Sequence, residues 1–154
     1  MAQVRIDTYY SSRDEATDDM VDKFIEQYIG WIDDGKFVEI YQELYLRYKD
    51  VYQECIGKFT EKMLEAGIDP LEYMNYVPNF YLLGSRNIKK LTIPTHINKT
   101  GDFLLLDSNV IQVCVPKNLV VNPQSWTGAK NTLQVYSAET AEYLGIFPSV
   151  KINK

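Results

Sequence analysis

A chain of 154 residues with 45% hydrophobic and 24% charged side chains can bury one proper core, and that composition excludes wholesale disorder. No apolar run approaches the roughly 18 residues of a membrane-spanning helix, and no basic-then-apolar leader opens the chain, so it reads as soluble and cytoplasmic. Charge is uneven: residues 1–75 hold 17 acidic against 8 basic side chains, while residues 76–154 hold 4 against 8.

Opposite halves of this kind attract each other within a subunit, between subunits, or towards different partners. In the basic half, eight lysines and arginines are thinly spread, and Lys89-Lys90 is the one adjacent pair. With a net charge of −5 overall, that argues against nucleic acid as a partner. The acidic half has too modest a charge density to make a strong nucleic-acid mimic. Cys55 and Cys114 lack metal or redox spacing and read as two buried thiols, with a disulfide left open.

In chain order, Val4 to Tyr9 alternate as an edge strand or an ordered arm would. Ser11, Ser12 and Asp14 offer helix caps, and acids crowd the first turns that follow. Met20, Val21, Phe24, Ile25, Tyr28, Ile29 and Ile32 then recur at helical spacing, which predicts a helix over 13–32. Asp33-Asp34-Gly35 ends it. A second apolar stripe from Phe37 to Ala66 predicts one long helix, with Gly57 as the place for a bend and Gly67 as its cap. The two helices are expected to form an antiparallel hairpin. Asp69-Pro70-Leu71-Glu72 starts a short third helix, with Asp69 at the N-cap and Pro70 at the first helical position.

From Tyr81 the sequence repeats. Asn87, Asn109 and Asn131 stand 22 residues apart, as do Leu91, Val113 and Val135. Leu91 to Pro94 and Val113 to Pro116 read as one strand written twice. Leu91, Ile93, Val113, Val115, Leu133 and Val135 should point inward. Lys90, Thr92, Gln112, Cys114, Gln134 and Tyr136 should point outward in one column, the candidate partner-binding face. Residues 137–144 are expected to form a covering helical turn, and 145–154 a loosely held tail.

Chemistry-bearing patterns are sparse. His96, the sole histidine, reads as a surface loop residue rather than a general base. Asp14, Glu15, Asp18 and Asp19 read as surface charge matched to a helix dipole rather than a cation site. No phosphate loop, zinc spacing or nucleophile elbow occurs, and the Asn98-Lys-Thr100 sequon is a chance-level pattern. Neither an enzymatic activity nor a cofactor is expected. Of the 12 tyrosines, Tyr41, Tyr48 and Tyr52 fall on the apolar stripe, Tyr45 lies off its centre, and Tyr9, Tyr10 and Tyr28 are harder to place.

The segments Leu91-Thr-Ile93-Pro94, Gly84-Ser-Arg-Asn87-Ile88, Leu106-Asp-Ser-Asn109-Val110 and Gly128-Ala-Lys-Asn131-Thr132 resemble bacterial leucine-rich repeats of the BspA-like class. Ser85, Asp107 and Ala129 stand where that class has cysteine. A compact helical segment before such repeats is also similar to small phage-encoded proteins. The resemblance implies an α+β protein: a helical hairpin (1–75) capping a short leucine-rich-repeat-like β-solenoid of two to three repeats (76–144), with a tail (145–154). It also implies a non-enzymatic protein-interaction module, whose partner in the phage case would be a host or defence protein. The alternative is a self-assembling structural subunit, a homo-oligomer or virion component.

Overall fold

Helix formation begins where the sequence supplies its cap. In a computed structural model describing residues 11–149, the Ser12 hydroxyl accepts the Glu15 N–H at 3.1 Å, and Glu15 reaches back to the Ser11 N–H at 2.6 Å. This closes the first turn of α1 (Arg13–Gln27). The expected strand at Val4 to Tyr9, Tyr10 and the end of the tail (150–154) lie outside the described residues.

The single helix expected over 13–32 is two. It breaks at Tyr28 and resumes as α2 (Ile29–Asp33). Arg47 holds this corner, lying over the Tyr28 ring at 5.3 Å and donating to its hydroxyl at 2.9 Å. Gly35, at φ +71°, makes the tight turn that Asp33-Asp34-Gly35 announced. The expected long second helix is likewise two, α3 (Phe37–Tyr48) and α4 (Glu54–Glu65), separated at 49–53 where Tyr52 takes φ +64°.

Gly57 is not the bend. It sits inside α4, where a Cβ would collide with the Leu83 carbonyl, so glycine permits the helix to lie directly on that backbone. Ion pairs step along α1 and α4 in the same sense, Asp14 to Lys58 at 2.8 Å and Asp18 to Lys62 at 3.2 Å, so the two run parallel. Four helices therefore replace the expected hairpin. After Gly67 (φ +82°), Asp69 caps the 3-10 turn Pro70–Tyr73 by accepting the Leu71 N–H at 3.1 Å.

Among the described residues six short strands follow: β1 (Tyr76–Val77), β2 (Lys90–Thr92), β3 (Lys99–Thr100), β4 (Gln112–Val115), β5 (Leu133–Ser137) and β6 (Tyr143–Phe147). β1 and β3 pair in parallel as a two-stranded sheet, and the others form a four-stranded sheet in the order β2-β4-β5-β6. Val113 pairs with Leu91 on one side and Val135 on the other, so the parallel strands pair in the 22-residue register of the sequence. Leu91, Ile93, Val113, Val115, Leu133 and Val135 are all buried.

The architecture is α+β, but the leucine-rich-repeat-like solenoid is not what forms. Its strands divide between two small sheets, and neither the parallel order nor the stacking is carried to the end. The chain reverses through Ala141 at φ +64°, and β6 returns antiparallel to β5. The covering helical turn expected over 137–144 is this reversal, and the first part of the supposedly loose tail is the edge strand β6. One hydrophobic core joins the halves: Phe24, Tyr41 and Phe59 of the helices share it with Tyr81, Leu91, Val113 and Val135. The Phe59 ring meets Phe24 and Tyr41 edge-on, with centroids 5.8 and 5.5 Å away.

Candidate protein-interaction surface

Parallel pairing at matched register sets like positions side by side, since alternate residues of a strand share a face. Lys90, Gln112 and Gln134 form one row across β2, β4 and β5, and Thr92, Cys114 and Tyr136 form the next. The six residues singled out in the sequence therefore lie together. Gln112 donates to Gln134 Oε1 at 3.3 Å, and the Tyr136 hydroxyl donates to the same oxygen at 3.4 Å. Lys90 is the only charge among the six.

Cys114 is 7% exposed, the buried thiol expected of it, although its register places it in the outward column beside Thr92 and Tyr136. Cys55 is also buried and unpaired, and burial pushes its thiol up to about 12, which makes it inert at neutral pH.

The sequence reading missed the extension of this face by β6. Tyr143 packs its ring 5.4 Å from that of Tyr136, while Tyr143 and Ile146 remain 51% and 45% exposed. The alternating Tyr143-Leu-Gly-Ile-Phe147 is a strand pattern visible in the sequence, but the preceding alanines suggested helix instead.

Beside the face, a groove of about 320 Å³ separates β2 from the connection after α4. Leu64, Ile68 and Leu91 give it apolar walls, and Asp69 and Tyr81 also line it. Tyr81 is fully buried, and its hydroxyl has no hydrogen-bond partner. Burial raises the Asp69 carboxyl above its ordinary range, partly offset by the Leu71 N–H it accepts.

A second cleft, where α1 and α4 meet the 84–87 loop, is lined by charge: Asp14, Asp18, Lys58, Glu61, Lys62 and Arg86. Its charges satisfy one another. Lys58 holds the Asp14 carboxyl below its ordinary range, and Arg86 stands 3.5 Å from the same carboxylate. Glu61 accepts the Asn87 N–H at 2.7 Å. Arg86 with Asp14 is an ion pair between the acidic and basic halves inside one subunit. Among the described residues no group of His, Cys, Asp and Glu stands close enough to hold a metal ion.

His96 sits in an exposed return segment, with its Nε2 2.8 Å from the Leu71 carbonyl and 3.1 Å from that of Met74. Both partners are acceptors, so Nε2 carries the proton and ties that segment to the 3-10 turn. Another unanticipated feature is an aromatic stack, Tyr45 on Phe80 on Phe103, at 6.3 and 5.9 Å. Among the described residues no helix is long and apolar enough to cross a membrane. Set against models of known families, curated proteins and solved structures, the chain matches none of them.

Proposed function

We propose that this protein is a non-enzymatic interaction module that binds another protein through the outer face of its four-stranded sheet. The observation that carries the reading is the in-register polar and aromatic surface of Lys90, Thr92, Gln112, Gln134 and Tyr136, continued by exposed Tyr143 and Ile146 on β6. Surfaces that combine aromatic rings with uncharged hydrogen-bonding groups suit protein partners, because they supply area at little desolvation cost. Two buried, unpaired thiols are compatible with a reducing cytoplasm as its setting. The partner, in the phage reading, is a host or defence protein.

The test is affinity capture from a cell extract with the wild type, a Gln112→Ala/Tyr136→Ala double variant, and Glu26→Ala on a helical surface as control. At least one captured protein should be lost from the double variant and retained by the control. Identical capture by all three would overturn the reading, as would turnover of any substrate abolished by one point substitution.

A further inference from the structure

Three observations converge on the groove beside β2. The first concerns its backbone. β2 bonds to β4 through alternate residues: the Ile93 N–H donates to the Cys114 carbonyl at 2.9 Å, and the Lys89 carbonyl accepts from Ile111 at 2.8 Å. The backbone groups of Lys90 and Thr92 therefore turn the other way, to an edge on which no described strand pairs.

The second is Tyr81, a fully buried phenol whose hydroxyl has no partner, in a wall of the groove. An unmade hydrogen bond of this kind costs about 1–3 kcal/mol, which marks this wall of the groove as incompletely satisfied. The third is Asp69, which uses Oδ1 for the Leu71 N–H and has no ion-pair partner within salt-bridge distance among the described residues, His96 acting on it only from farther away. A carboxylate kept half-buried without a cation destabilises the fold at neutral pH, and an incoming ammonium or guanidinium would relieve that.

We propose that this groove takes an extended segment of a partner protein as an added strand. Its main chain pairs with Lys90 and Thr92, and one lysine or arginine side chain reaches Asp69. A free strand edge is matched by a main chain, and a half-buried carboxylate without an ion pair by a cation, so a basic extended peptide satisfies both. Leu64, Ile68 and Leu91 take the alternate apolar side chain. The inference rests on the interaction-module reading and specifies how part of the partner would be held.

The probe is an acetylated, amidated hexapeptide, Thr-Val-Lys-Val-Thr-Val, titrated into the full-length protein while backbone amide shifts are followed by NMR. Saturable shifts at Lys90, Thr92 and Leu71 are expected. Affinity should fall at least tenfold when the peptide lysine becomes glutamate, and at least tenfold in Asp69→Asn. Asparagine remains a competent N-cap, so that variant folds. Tyr81→Phe removes only an unpartnered, inaccessible hydroxyl, so it should keep both its stability and its affinity for the peptide. The absence of shifts at millimolar peptide would overturn the inference, as would equal affinity for the lysine and glutamate peptides. The Gln112→Ala/Tyr136→Ala variant should bind the hexapeptide as the wild type does. Failure of the peptide while that variant still loses its captured partner would sink the groove and leave the interaction-module reading standing.

Discussion

At Gly57 the fold depends on a missing carbon atom. In an exposed helix, glycine to alanine gains about 1 kcal/mol from helix propensity. Here the added Cβ would meet the Leu83 carbonyl and amide backbone, which cannot rotate away as a side chain can. Overpacking typically costs about 1–3 kcal/mol, and more where backbone must move, so Gly57→Ala should destabilise by a net ~2 kcal/mol. Urea denaturation settles the sign, since a stabilised variant would show that α4 does not lie against Leu83. The repeated asparagines also have a residue-scale reason. Asn109 donates its side-chain amide to the Arg86 carbonyl at 3.0 Å, bridging one loop to the next, whereas Asn87 donates to Glu65 at 3.4 Å on α4.

At the scale of elements, α1 and α4 are joined by ion pairs as well as by Phe24 against Phe59. Asp14 has its folded pKa depressed by the Lys58 ammonium, so its contribution is present above the ordinary carboxylate value of 3.8 and is lost as pH falls through the folded value. Because the carboxylate is half exposed, the effect should be under about 1 kcal/mol. Between pH 7 and pH 3 the wild type should lose slightly more stability than Asp14→Asn. An equal loss would mean that the pair contributes nothing.

The same elements show what local sequence can and cannot say. Caps and turns at Ser12, Gly35, Gly67 and Asp69 were legible because each is a bond between near neighbours. The pairing of Leu91, Val113 and Val135 was legible because the repeat itself carries the register. The breaks at Tyr28 and 49–53 were not, since apolar spacing continues through both, and the Tyr28 corner depends on Arg47, 19 residues away. The antiparallel return of β6 was hidden because it turns on one backbone reversal at Ala141, in a stretch whose alanines read as helix. The candidate face was legible as a column of residues, but how much of it is exposed was not, since Cys114 on the central strand is buried.

For the whole molecule, the uneven charge of the sequence need not drive assembly. Arg86 meets Asp14, and Asn87 meets Glu61 and Glu65, across the boundary between the halves of one chain. Light scattering during size exclusion should therefore give a monomer near 17.9 kDa at both low and high salt. An oligomer that loosens with salt, as screening over roughly 8 Å would produce, would favour the self-assembling alternative.

The most direct measurement of the central proposal is hydroxyl-radical footprinting of the protein with and without a captured partner. Tyr136, Tyr143 and Ile146 should lose reactivity on binding, while Leu46 on α3, 67% exposed, keeps its own. Unchanged labelling at those three sheet positions, with protection appearing at Leu46 and Tyr45 instead, would contradict the account and move the binding surface to the helices.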